Sequence, residues 1–243
     1  MNYLLIAFGV ILTYAAIEFL IIKYNGTFVP APDIPRSPQT FGTGQRLTYA
    51  VMGDSTAIGQ GTEYEHSYAF ISAKHMAKDF EVTLINTGVS GARIYDVAYE
   101  QLSKASSYTP DVVLLGVGAN DTTHLTDLKQ IEKSLQKIVD DLRQSNPSVR
   151  IIATRSPALD SVSRFPPVSK YLLRLRTIQV NGVFDKVVKR NGLTSALIAE
   201  NTREAFLADS TLTASDNFHP NERGYGLWIP LINEALDRAL KKA

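Results

Sequence analysis

Cysteine is absent from the 243 residues, which excludes disulfide bonds, thiolate metal sites and a cysteine nucleophile together. Histidine is scarce: His66, His75, His124 and His219 are the only imidazoles available for acid–base chemistry. Net charge is nearly absent, at a formal +1, so neither a nucleic-acid footprint nor a strongly acidic partner is expected. The loop after the first apolar strand candidate carries Gly59-Gln60-Gly61 but neither G-x-G-x-x-G nor G-x-x-x-x-G-K-[ST], so nucleotide binding lacks its motif. No Lys or Arg precedes the first hydrophobic run, which therefore lacks the basic n-region of a secretory signal.

That run, Tyr3 to Ile22, is 20 residues long with Glu18 as its only charge. A helix of this length covers about 30 Å, the hydrocarbon core of a bilayer. The run exceeds a signal-peptide h-region and is closed by Lys23-Tyr24, so residues 1–24 read as an uncleaved, single-pass membrane anchor. A cleaved signal and a buried amphipathic helix are the alternatives, because Glu18 is hard to place facing lipid. The α-amino group and Lys23 nearly balance across the run, which gives orientation little to act on. The remaining chain is expected on the extracytoplasmic side.

Residues 25–45 hold Pro30, Pro32, Pro35 and Pro38 and read as a semi-rigid, proline-rich linker. The folded domain is expected over residues 46–243, with 44% hydrophobic residues in the chain being ample for one core. Strand candidates are residues 46–53, 81–86, 111–118, 149–155 and 193–199. "DVVLLGVG" and "VRIIAT" are nearly continuous apolar runs, as in strands covered on both faces. Helical patterns lie at residues 66–78, 94–103, 125–144 and 168–190, and a last one at 222–241 holds Pro230, which should kink or interrupt it. The alternation predicts a three-layer α/β/α sandwich around a mostly parallel, about five-stranded sheet of flavodoxin-like type. Such folds bind ligands beyond the carboxyl ends of their strands.

Four segments belong there: Gly53-Asp54-Ser55, "NTGVSGAR" (86–93), "GVGAND" (116–121) and "DNFHPN" (216–221). They supply a hydroxyl, glycine-rich backbone, a carboxamide, a carboxylate and an imidazole, the set that acyl transfer needs. A serine must lose its proton to a base, the base must be held in one tautomer, and the oxyanion needs preorganised donors. Each piece also has an ordinary reading: a turn at Ser55, strain relief at Gly88 and Gly91, a cap at Asn120-Asp121 for a helix starting near Leu125. His219 resists this treatment, because Asp216 three residues earlier can reach Nδ1 and leave Nε2 free. His66 and His75 read as surface or packing residues, and His124 lacks a spaced carboxylate.

Together the four segments resemble the SGNH (GDSL) hydrolase superfamily from about residue 47 to the end. The motifs stand as Gly53-Asp54-Ser55, Ser90-Gly91, Gly118-Ala119-Asn120-Asp121 and Asp216-Asn217-Phe218-His219-Pro220, with Gly224-Tyr225 also family-like. Thr56 departs from the common Leu beside the nucleophile. The resemblance implies a serine esterase with Ser55, Asp216 and His219 as catalytic triad. It implies an oxyanion hole from the Ser55 and Gly91 amides and the Asn120 side chain, with Gly88 as competitor for the Gly91 role. No metal or organic cofactor is implied. Substrates of such folds include simple esters, acyl-thioesters, lysophospholipids and acetylated sugars, so the expected partners are an ester substrate and, through residues 1–24, a membrane. The alternative is an inactive, membrane-tethered glycan- or lipid-binding module of the same fold.

Overall fold

The computed structural model describes residues 2–241. Helix α1 (Asn2–Tyr24) stands outside the α/β body; among its described side chains Glu18 is buried, Ile22 half-buried and the rest exposed. The body comprises β1 (Gln39–Phe41), β2 (Gln45–Gly53), α2 (Tyr68–Met76), β3 (Phe80–Asn86), α3 (Ile94–Asp96), α4 (Leu102–Ser106) and β4 (Val112–Gly116). It continues with α5 (Ala119–Thr123), α6 (Leu128–Ser145), β5 (Arg150–Ala153), α7 (Pro167–Asn191), β6 (Thr194–Ser195), α8 (Ile198–Ala208) and α9 (Glu222–Lys241). The sheet order is β1-β3-β2-β4-β5-β6, with β1 antiparallel to β3 and the other pairs parallel.

The alternating strand positions divide the core into two layers. Tyr49 and Val51 of β2, with Val112 and Leu114 of β4, pack on α2, α8 and α9. Ala50, Met52, Val113 and Leu115 point the other way, onto α3, α4, α6 and α7. Each large apolar side chain buried this way contributes about 1.5–3 kcal/mol. The five expected strands are the five parallel ones.

Four local readings change. A sixth strand, β1, comes from the proline-rich segment, where an extended backbone meets the open edge of β3 and Phe41 packs edge-on against Phe70 at 5.2 Å. The expected 193–199 strand shrinks to Thr194–Ser195 and Ile198 opens α8, since a short apolar run fits either period. The helix expected from Leu125 starts at Leu128, because Leu125 has φ +52° and Asp127 caps α6 through the Lys129 and Gln130 amides. Helix α9 passes through Pro230 unbroken: the carbonyl it deprives is that of Gly226, on the exposed face where water can satisfy it.

Two features shape the edge where the strands end. Gly53 lies opposite Gly116 in the β2–β4 register, and a Cβ on Gly53 would collide with the Gly116 carbonyl. Between α3 and α4 the helix widens into a π turn, Val97–Gln101, which presents the buried Gln101 to β2. Its Oε1 accepts from the Gly53 amide at 2.8 Å and its Nε2 donates to the Gly53 carbonyl at 2.8 Å.

Gly53→Ala is expected to destabilise the fold by about 3 kcal/mol, because the collision is with backbone. Gly182→Ala, on exposed α7 surface with open space around its Cβ, should be neutral or stabilising by up to about 1 kcal/mol. Urea midpoints at unchanged m-value measure both.

Candidate active site

Ser55 leaves the sheet two residues beyond Gly53, in a turn where the Gln60 amide donates to the Ser55 carbonyl at 2.9 Å. The Asp216–His219 turn arrives from the loop before α9. There the Asp216 Oδ1 accepts the Phe218 and His219 amides at 2.9 and 3.0 Å, and Asn217 takes φ +58°, a conformation asparagine tolerates. Asp216 Oδ2 lies 2.5 Å from His219 Nδ1, and His219 Nε2 lies 2.8 Å from Ser55 Oγ. All three residues are buried. Burial pushes the Asp216 carboxyl up, but the bonds from His219 Nδ1 and the two amides outweigh it and hold it below the usual carboxylate range. An ionised Asp216 fixes the proton on Nδ1 and turns the free lone pair of Nε2 toward the serine.

The donors expected around an oxyanion come from two segments tied to each other. Asn120, in the first turn of α5, donates its Nδ2 to the Ala92 carbonyl at 3.0 Å, and neighbouring Asp121 accepts the Ile94 amide at 3.0 Å. The Gly88 amide is spent on Asn86 Oδ1 at 2.9 Å. Among the described residues, the Ser55 and Gly91 amides donate to no protein acceptor, which separates Gly91 from Gly88. The cap reading of Asn120 falls away, since Gly118 precedes α5 and Asp127 caps α6.

Other histidines stand apart. His75 pairs with Asp237 at 2.9 Å, His66 with Glu222 at 3.4 Å, and exposed His124 lies against the Asn120 carbonyl. No cluster of metal-ligating side chains occurs among the described residues.

Three features escaped the sequence. Burial pushes the Asp54 carboxyl up to about 6, although the Thr56 amide and hydroxyl both donate to its Oδ1. This gives Thr56 a task at the position where the family commonly has Leu. Gln60 links three segments: it accepts from Ser90 Oγ at 2.6 Å, donates to the Val29 carbonyl at 2.6 Å, and its own carbonyl accepts from Tyr225. Its place between two glycines in a tight polar loop was the only sequence signal. Residues 25–29 are also part of the site. Thr27 donates to the Ser215 carbonyl at 2.8 Å, Asn217 donates to Asn25 Oδ1 at 2.8 Å, and Gly26 lies so close to the Asp216 backbone that a Cβ would collide.

Two recesses open beside His219. One is apolar, with Pro157, Leu159, Val162, Phe206 and Trp228 in its wall. The other is the wider mouth, rimmed by Lys23, Phe28, Val29, Arg164 and Phe165.

Because Asp54 holds its proton more tightly when folded, its contribution to stability falls as pH rises from about 4 to about 6. Asp54→Asn keeps an acceptor for Thr56 and removes that loss. The stability difference, variant minus wild type, should therefore grow between pH 4 and pH 7. A difference that stays constant in paired urea titrations would show that the carboxyl is not shifted.

No relative among the curated proteins matches the chain by sequence. Solved structures share the fold. The psychrotrophic esterase EstA from Pseudoalteromonas sp. has a TM-score of 0.62 at 18% identity, over 80% of this chain and 98% of its own. A lipase/acylhydrolase from Enterococcus faecalis has 0.63 at 18%, over 77% and 94%. The acetyl xylan esterase Axe2 from Geobacillus stearothermophilus has 0.60 at 18%, over 82% and 95%. A family profile described as GDSL-like lipase/acylhydrolase matches residues 51–227, most of the chain, and the protein belongs to that family.

Proposed function

We propose that this hydrolase is a serine esterase acting through an acyl-enzyme, with Ser55 as nucleophile, His219 as general base and acid, and Asp216 as the group that orients His219. The observation that carries the reading is the continuous hydrogen-bonded chain from Ser55 Oγ through His219 to a buried, ionised Asp216. His219 Nε2 takes the Ser55 proton as Oγ attacks the ester carbonyl carbon. The oxyanion that forms is stabilised by the free Ser55 and Gly91 amides and the second Asn120 Nδ2 hydrogen. Collapse breaks the bond to the alcohol oxygen, which leaves with the proton from His219. A water, deprotonated by His219, then cleaves the acyl-serine.

The apolar recess suits the acyl group and the basic-rimmed mouth the alcohol portion. We assign α1 as a membrane anchor: Leu5–Tyr24 has a mean hydropathy of 2.4 and only 6% of it is buried. Residues 25–45, which also supply β1 and a wall of the mouth, connect it to the catalytic domain of residues 46–243, and we assign that domain to the extracytoplasmic side.

Labelling by a fluorophosphonate should occur on the wild type and not on Ser55→Ala. An unlabelled wild type would favour the inactive binding module. Ser55→Ala and His219→Ala should each lower kcat by about 10⁶, with the double variant little worse, because these groups act as a unit. Asp216→Asn should leave more activity, with a fall of about 10⁴. Asn120→Ala should lower kcat by about 10²–10³ with KM nearly unchanged, as expected of a donor that matters when charge develops. Asn120→Asp should fold and be almost inactive, since its charge repels the oxyanion. Steady-state kinetics on a short-chain ester, with thermal melts alongside, separates these outcomes.

A further inference from the structure

The first half of the long helix α7 turns an apolar face outward, and its buried side begins only at Thr177. Thr177, Val180 and Phe184 face the core. Val168, Tyr171, Leu172, Leu175 and Ile178 face outward, between 44% and 63% exposed. At about 100° per residue these five fall within an arc of about 120°. Arg174 and Arg176 flank that arc, and no acidic residue occurs in α7 before Asp185. Arg176 reaches the Thr126 carbonyl, and the preceding residue, Leu125, is 68% exposed. A scattered exposed Leu needs no explanation, but a contiguous apolar face edged by cations does.

The contact between α7 and α1 says what covers it. Glu18 Oε1 accepts the Val168 amide at 2.9 Å, and Oε2 accepts the Ser169 amide at 3.0 Å and the Ser169 hydroxyl at 2.6 Å. The one charge of the apolar run therefore caps the start of α7, which has Pro166 at its cap position and no side-chain cap of its own. Depth follows from spacing. Residues 3–17, before Glu18, would cover about 22 Å, short of the about 30 Å of hydrocarbon, so the turn bearing Glu18 is needed to span. The start of α7, bonded to Glu18, then lies at bilayer depth.

The geometry points to the first half of α7, with Leu125, as a second membrane-contacting element, seated in the interface of the bilayer that α1 spans. Its apolar arc meets acyl chains, and Arg174 at the edge of the arc reaches anionic headgroups. The inference rests on the esterase and anchor readings above and adds the origin of the substrate. Lys23, at the end of α1, and Arg164 rim the mouth beside His219, so the mouth opens at the membrane surface. The ester is then one carried by an amphiphile in that leaflet, headgroup toward Lys23 and Arg164.

The absence of cysteine makes the test direct. Leu172→Cys, Ile178→Cys and, as control, Lys78→Cys at the opposite end of the sheet are each labelled with an environment-sensitive fluorophore in the full chain. The proteins are reconstituted into vesicles of zwitterionic and anionic phospholipid. Labels at 172 and 178 should shift to the blue and be quenched by brominated phospholipid, while the label at 78 does neither. Absence of quenching at 172 and 178 overturns the proposal, including the case of a concentration-dependent blue shift, which would mean a second copy covers the face. Leu172→Glu with Ile178→Glu should leave turnover of a soluble acetyl ester unchanged and lower that of a vesicle-borne ester about tenfold. Equal effects on both esters would overturn the supply role. A wild type inert toward both esters would instead refute the esterase reading, and the quenching would still decide membrane contact.

Discussion

The close approach of β2 and β4 at Gly53 and Gly116 is the constraint on which the site depends. Parallel pairing sends both chains out of the sheet at the same edge, and the absence of side chains lets the exits run nearly in contact. Ser55 follows two residues after one exit and Asn120 four residues after the other. Gln101 bonds both backbone groups of Gly53, so the last residue of β2 cannot shift independently of the π turn. The nucleophile candidate is thereby placed by backbone geometry, which tolerates little displacement.

Buried acids around that edge divide the electrostatic work. Asp216 has three donors and stays ionised, as a partner for an imidazole must. At Asp54, one residue from Ser55, burial outweighs the two Thr56 hydrogen bonds and the nearby His219, and its carboxyl rises to about 6. Asp121 is fully buried with only one oxygen hydrogen-bonded to the Ile94 amide, and burial pushes it up as well. The Asp121 charge adds to the rise at Asp54. Of the three, Asp216 alone is held below its ordinary range, and it is the one that faces His219.

Residues 25–29 carry the fold beyond what a tether requires. Their bonds to Ser215, Asn217 and Gln60 make the stretch after α1 a wall of the mouth, and β1 extends the sheet from the same connecting region. With Glu18 capping α7, the apolar helix is held to the catalytic body at both Glu18 and Asn25 rather than joined by a free linker.

The sequence by itself determined the five parallel strands, the alternation that builds three layers, and the four segments gathered at the strand ends. These are local signals: apolar runs of strand length, helical periodicity, and an Asp-x-x-His turn whose geometry is set within four residues. The extent of β6, the edge strand β1, and the tasks of Gln101 and Gln60 were decided only by the tertiary structure. Each depends on a partner far along the chain. β1 exists because β3 has an open edge, and Gln101 matters because a π turn brings it 48 residues back to Gly53. Glu18 shows the same division. Its charge in an apolar run was visible in the sequence, but the amides that receive it lie 150 residues away.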